Sequence, residues 1–218
     1  MNRWVEVCYQ GMLVAFLVGV VGCGSAPTRF YVLDSLPNPG SAGGQKGPSV
    51  GVGPVELPQY LDRPQIVTQS SENRLELSEF DQWAEPLQDN FTRVLGENLG
   101  TLLPTDHVFL FPWRSSNKID YQVMLEVNRF IGTPGGEAHL VVRWTIIDET
   151  VRKTLLTRRS SYSGATGGVG SDALAAALSR NIAALSRDVA AAIRTLEVGK
   201  NAKIRPKKKK RRSRAKRR

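Results

Sequence analysis

The chain of 218 residues contains 30 Lys and Arg, 20 Asp and Glu, two cysteines and two histidines, and 41% of its residues are hydrophobic. This length and hydrophobic content suit one domain with a sizeable core. Residues 200–218 hold 13 of the basic residues and no acidic residue, which leaves residues 1–199 with 17 basic and 20 acidic side chains. The formal charge of +10 therefore belongs to the tail, and a basic body is excluded.

An apolar run over residues 12–22 follows a short polar leader and ends at Cys23. A membrane-spanning helix needs about 20 apolar residues, whereas a signal peptide has an apolar region of about 7 to 15 that ends at small residues. Val20-Val21-Gly22-Cys23 resembles the lipobox of bacterial lipoproteins, in which the cysteine is acylated, for example with palmitate. We therefore predict a signal peptide over residues 1–22 and lipidation at Cys23.

A signal-anchor helix with an incidental cysteine is the alternative, and Gly24 and Pro27 argue against it because both residues disfavour a continuing helix. By the same resemblance, the absence of aspartate after Cys23 favours the outer membrane. Cys8 leaves with the signal, so the mature chain has no disulfide partner for Cys23. Residues 23–29 form a tether that keeps the body within about 22 Å of the membrane.

The first half of the body alternates short strand-like segments with one helix. Strands are predicted at residues 30–33, 50–58 and 108–111, and residues 34–49 are predicted to form a surface loop. Residues 66–69 and 74–77 fit a hairpin with a four-residue connection, and the second strand has one wet face. Pro86 suits the first position of a helix, whose apolar residues recur every three or four positions until Pro104 ends it.

The sequence of the second half of the body predicts an antiparallel meander and a long helix. Alternating apolar residues mark strands at 119–127 and 140–146, and a third follows at 151–162. Ser171 suits the N-cap of the last helix, whose apolar stripe runs from Leu174 to Leu196. Arg180, Arg187 and Arg194 lie opposite that stripe, as a solvated face or as a phosphate- or partner-binding stripe. We predict a body over residues 30–199 and a disordered basic tail over residues 200–218.

The residues that carry catalysis do not occur in a recognisable pattern. His107 and His139 are 32 positions apart, and neither lies in a metal-binding motif. The serines lie outside any Gly-x-Ser-x-Gly motif, and the glycine-rich segments 51–53 and 164–170 lack the lysine of a phosphate-binding loop. We therefore predict neither an enzyme nor a bound cofactor or metal.

Several motifs together resemble the PqiC/YmbA family, the auxiliary lipoproteins of MCE-type membrane-integrity transporters. The matching segments follow Cys23 in the same order: Phe30-Tyr31-Val32-Leu33, residues 50–58, Tyr60-Leu61-Asp62-Arg63-Pro64-Gln65-Ile66-Val67, Asn73-x-Leu75, Trp83-Ala84-Glu85-Pro86-Leu87 and the final amphipathic helix. The resemblance extends over about residues 23–196. The basic tail is not part of it.

The resemblance implies an α/β fold, which we expect as a single domain with a mixed, largely antiparallel sheet packed by two main helices. It also implies a non-enzymatic lipoprotein on the periplasmic face of the outer membrane, which docks a periplasmic MCE-domain protein in lipid transport. A homo-oligomer that matches a symmetric partner is compatible with this role. Candidate partner contacts are Tyr60, Leu61, Arg63 and Trp83, because aromatic and Arg side chains supply most interface energy; packing and turn bracing are the alternative roles.

Two other classes of function remain open at this point. A lipoprotein that activates a cell-wall synthase favours a long tether, and this chain has a short one. Hydrolysis of lipid or glycan would need a catalytic group. Export removes nucleic acid from reach, so the partner of the basic tail is an anionic lipid or envelope polymer, unless the tail is only solvated.

Overall fold

The computed structural model describes residues 26–37, 47–103 and 105–215, with side chains described as far as Lys200. The predicted signal peptide and Cys23 lie outside these residues. In the described part of the chain, ten elements precede a long last helix. The bounds in chain order are β1 Arg29–Tyr31, β2 Val50–Glu56, the 3-10 helix η1 Gln59–Leu61, β3 Gln65–Ser71, β4 Arg74–Trp83, α1 Leu87–Leu102, β5 Val108–Leu110, β6 Tyr121–Gly132, β7 Glu137–Asp148, β8 Lys153–Ala165 and α2 Ser171–Ala215.

The strands form two sheets. The larger has the order β5-β2-β6-β7-β8, in which β5, β2 and β6 are parallel and β6, β7 and β8 form an antiparallel meander. The smaller has the order β1-β4-β3, with β1 parallel to β4 and β3 antiparallel to it. The predicted α/β domain with a mixed sheet and two main helices is confirmed. Its division into two sheets was not predicted.

Both helices contribute to one core against the larger sheet. The alternate residues of β7 from Ala138 to Ile146 are buried, as the period of two predicts. The stripe of α2 from Leu174 to Ile193 is buried as well, and Phe91 of α1 meets Phe130 of β6 edge-to-face at 5.2 Å. The apolar spacing in the sequence therefore identified the packed faces of both helices.

Two segments differ from the prediction. Strands β3 and β4 continue to the pair Ser71–Arg74, so the hairpin turn has two residues, Glu72 and Asn73, where the sequence suggested four. The backbone of α2 is helical to Ala215, where the sequence suggested a disordered tail from Lys200. Lys and Arg favour helix, whereas Pro206 within this extension disfavours it.

Gly53 is a position where the fold requires glycine. Its φ of +117° lies in the left-handed region, and a Cβ placed there would be 2.7 Å from Cβ of Phe111. Gly53→Ala should therefore lower the free energy of unfolding by about 1–3 kcal/mol, as for other strained backbone sites. Denaturant titration of the chain without its signal peptide measures this.

Gly199→Ala is the matched control, because a Cβ at this helical position meets no atom within 4 Å. Ala favours helix over Gly by about 1 kcal/mol, so this variant should unfold at an equal or higher denaturant concentration. Equal unfolding midpoints for Gly53→Ala and the wild-type chain would contradict the assignment.

Candidate functional site

The N-terminal residues of the body are built into the fold directly after the predicted tether. Strand β1 pairs in parallel with the end of β4, so that Arg29 lies opposite Asp81 and Tyr31 lies opposite Trp83. The backbone N–H of Ala84 donates to the carbonyl of Tyr31 at 2.9 Å. A lipid at Cys23 would therefore be joined to a fixed strand through residues 24–28.

The buried carboxylate of Asp81 joins three elements at this point. Arg29 of β1 donates to it from Nε at 2.7 Å, and Ser171 at the start of α2 donates from Oγ at 2.6 Å. The Tyr31 hydroxyl lies at 3.4 Å from the same carboxylate. Burial raises the pKa of Asp81, but hydrogen bonds from Ser171 and Arg29, with the Arg29 charge, lower it by more. The carboxylate is thus held ionised.

Residues 32–37, which we call the strap, continue from β1 along the groove between α1 and α2. Buried side chains of both helices accept hydrogen bonds from its backbone: Asn90 from Leu33 at 3.2 Å, Ser179 from Asp34 at 3.0 Å, and Asn98 from Leu36 at 2.6 Å. Buried backbone donors need such acceptors. The strap is therefore part of the packed body and differs from the surface loop that the sequence suggested.

The predicted contact residues lie close together where η1 leads into β3. The backbone N–H of Trp83 donates to the carbonyl of Pro64 at 2.7 Å, which holds this turn against the end of β4. Leu61 and Trp83 are only 3% and 6% exposed, so both pack in the core in this conformation. Tyr60 is half-buried, and Arg63 is exposed. The structure thus leaves Tyr60 and Arg63 as the surface members of the predicted set.

Further residues that the sequence did not single out complete this surface. Arg129 donates to Oε1 of Gln69 at 2.5 Å, and its charge also opposes the rise that burial causes in the pKa of Tyr60. Leu75 lies opposite Gln69 in the hairpin, and Leu77 lies opposite Val67. These two leucines are 44% and 51% exposed. We call Tyr60, Arg63, Leu75, Leu77 and Arg129 the hairpin surface.

Other candidate groups have internal partners. Arg180 donates to the carbonyl of Ala165 at 2.8 Å, and Arg194 donates to that of Leu102 at 2.9 Å, so two of the three arginines opposite the apolar stripe brace the fold. Nε2 of His139 is 3.9 Å from the Glu137 carboxylate. Within residues 26–37, 47–103 and 105–215, no group of three His, Cys, Asp or Glu is arranged to hold a metal ion.

Comparison with known proteins identifies the family. Residues 31–190 match the model of the ABC-type transport auxiliary lipoprotein component. The chain belongs to this family. The match confirms the resemblance that the motifs indicated, and it makes a transporter the class of partner. No curated protein matches the chain.

Two solved structures share the fold of this auxiliary lipoprotein. An uncharacterized protein superposes with a TM-score of 0.63 at 19% identity, covering 77% of this chain and 99% of its own. A protein of Xanthomonas campestris gives the same TM-score at 16% identity, with coverages of 81% and 99%. Among the described residues, the helices are all too short or too polar to cross a membrane.

The Asp81 contacts predict an acid-sensitive contribution to stability. The pKa of Asp81 is lower in the folded than in the unfolded chain. Its contribution to stability is therefore fully present above the ordinary aspartate pKa of about 3.9, and it is lost as the pH falls through the pKa of the folded state. Asp81→Asn should lower the free energy of unfolding at pH 7 by about 1–3 kcal/mol. Urea titration between pH 7 and pH 3 measures both effects.

Asp106→Asn is the control, because Asp106 is exposed. That variant should keep the stability of the wild-type chain at pH 7. If Asp81→Asn lost stability in acid as steeply as the wild type, the carboxylate would not be the titrating group.

Proposed function

We propose that this auxiliary lipoprotein is anchored through Cys23 in the outer membrane, faces the periplasm and docks a periplasmic MCE-domain protein for lipid transport. The observation that carries the proposal is the fixation of β1 and the strap, because an anchor joined to a rigid body suits a subunit that holds a large partner near a membrane. A cell-wall synthase activator would instead profit from a long flexible tether. The role is non-enzymatic and needs no cofactor.

The membrane link depends on the acyl chains at Cys23. Two or more chains anchor a protein stably, whereas one chain does so only marginally. The basic segment begins about 44 Å along α2 from the end of the body that adjoins the tether. Its electrostatic attraction is therefore directed at an envelope polymer or at anionic lipid other than that of the anchoring bilayer, since cations contribute about 1 kcal/mol each only near an anionic surface. Lys200 itself is tied to the body, with Nζ 3.5 Å from the Asp148 carboxylate and 5.4 Å above the Tyr121 ring.

Cys23→Ala should release the protein from the membrane fraction in high salt, because salt screens the attraction of the basic segment and the lipid anchor is gone. Fractionation of cells in low and in high salt measures this. Retention that is lost in high salt and also on deletion of residues 201–218 would be assigned to that segment. Retention of Cys23→Ala in high salt would contradict anchoring through Cys23.

The hairpin surface is the proposed contact with the transporter. Tyr60 and Arg63 are of the residue types that dominate interface energies. Leu75 and Leu77 add exposed apolar area on the hairpin that follows them in the chain. Leu61 and Trp83 support this surface from the core and position η1. A homo-oligomer would present several copies of the surface to one symmetric partner.

Tyr60→Ala and Arg63→Glu should each reduce recovery of the MCE-domain protein at least several-fold, because truncating an interface hot spot costs about 2 kcal/mol or more. Leu75→Ser combined with Leu77→Ser should do the same. Affinity purification from native membranes with mass spectrometry measures recovery, and thermal unfolding confirms that each variant is folded.

Arg114→Glu is the matched control for charge reversal, because Arg114 is exposed in the loop after β5, outside the hairpin surface. It should leave recovery unchanged. Recovery of cell-wall synthases without an MCE-domain protein would favour the alternative function. Equal recovery from the wild type and all hairpin variants would overturn the assigned surface.

A further inference from the structure

Two loops join to form a platform at the start of α2. The N–H of Gly135 donates to the carbonyl of Gly168 at 2.9 Å, and the N–H of Thr166 donates to the carbonyl of Gly136 at 2.9 Å. Gly135 and Gly167 have φ values of +70° and +80°, which glycine adopts without strain. The platform presents Val169, which is 79% exposed. A hydrogen-bonded platform with an apolar side chain at its tip is suited to contact another apolar phase.

A second exposed apolar side chain lies at the same end of the molecule. Phe30 is 64% exposed and follows Arg29, whose guanidinium binds Asp81. Ser171, two residues after Val169, binds the same carboxylate. Phe30 and Val169 therefore lie one and two residues from side chains that bind the same carboxylate, which places their two segments at the same end of the molecule. We call residues 26–30, 133–136 and 166–170 the anchor pole.

The composition of the anchor pole suits a lipid surface. Its three segments contain one charged residue, Arg29, and no carboxylate. The flanking carboxylates of Glu137 and Asp172 are exposed at its border, where water can hydrate them. Most of the remaining residues are Gly, Thr, Ala and Pro, whose small side chains let the backbone approach a surface closely.

The tether limits which surface the anchor pole can meet. Six residue steps separate Cys23 from Arg29, and they span at most about 22 Å when fully extended. The chain preceding the body therefore enters it at this pole, which lies within that reach of the acylated cysteine.

We propose that the anchor pole docks on the bilayer that holds the acylated Cys23, with Val169 and Phe30 entering the boundary between headgroups and acyl chains. Apolar side chains of peripheral proteins bind at this depth. The inference rests on the proposed lipidation of Cys23 and adds an orientation to it. Because α2 begins at this pole, Lys200 lies about 44 Å away along the helix axis.

Site-specific fluorescence on the lipidated full-length mature protein tests this orientation. Val169→Cys, Val151→Cys and Val198→Cys each introduce one free thiol, since Cys23 is acylated and Cys8 is removed with the signal peptide. Val151 and Val198 are matched controls, because they are 66% and 70% exposed and lie near Lys200 at the other end of α2. Each variant is labelled with a fluorophore and reconstituted into vesicles that contain nitroxide-labelled phospholipid.

The label at position 169 should be quenched by the nitroxide lipid at least several-fold more than the labels at positions 151 and 198. Burial in a protein interface would not produce this result, because the quencher is in the lipid. Equal quenching at all three positions, or stronger quenching at 151 or 198, would overturn the proposal.

Flotation of the vesicles separates this proposal from the anchor on which it rests. If the labelled variants float with the vesicles and position 169 is not quenched, the docking face is wrong while the anchor stands. If none floats, anchoring through Cys23 fails and the docking face fails with it.

Phe30→Ser should reduce quenching at position 169, whereas Leu110→Ser should not, since Leu110 is 40% exposed on β5, away from this pole. If Phe30→Ser left quenching at position 169 unchanged, Phe30 would not be part of the docking face.

Discussion

The fixed position of the N-terminal chain depends on one buried charge. A carboxylate removed from water is costly unless it is paired and hydrogen-bonded, and Asp81 finds these partners only when β1 and the first residue of α2 meet beside β4. Ser171 also places this anion at the helix N-terminus, which favours negative charge. The ionic contact therefore makes the start of the body, the smaller sheet and the long helix one unit.

Local sequence patterns predicted the helices and strands, but they did not predict which distant strands pair with one another. The alternation in β6 and β7 and the spacing in α1 and α2 depend on neighbours within one element, so the sequence displays them directly. The pairing of β1 with β4 joins residues 52 positions apart through three residues, which is too short for a periodic signal. The strap was missed because Asn90, Asn98 and Ser179 look like surface residues, although they lie at buried positions of the helices.

The candidate contact surface was also only partly predictable from local sequence patterns. An aromatic residue near a proline is as typical of a turn in the core as of an interface. In the structure, Trp83 is buried in the core and Tyr60 lies partly at the surface. Alternation in β4 predicted one wet face, but this prediction is wrong for residues 74–77, which are exposed on both faces of the strand. The pairing of β4 with β3 shifts between Leu77 and Gln82, and Leu75 and Leu77 are exposed ahead of this irregularity.

The course of β1 and the strap also determines how the domain bears mechanical load. The chain runs away from Ala26 first as β1, which is parallel to its partner strand β4, and then as the strap, which is bonded to both helices. A pull on the chain at Ala26 therefore acts along the strand axis and across its hydrogen bonds. In this shear geometry the bonds to β4 and to the two helices share the force and must break together, whereas a peeling geometry would break them one at a time. Tension between a membrane and a bound partner would thus be carried by the whole core.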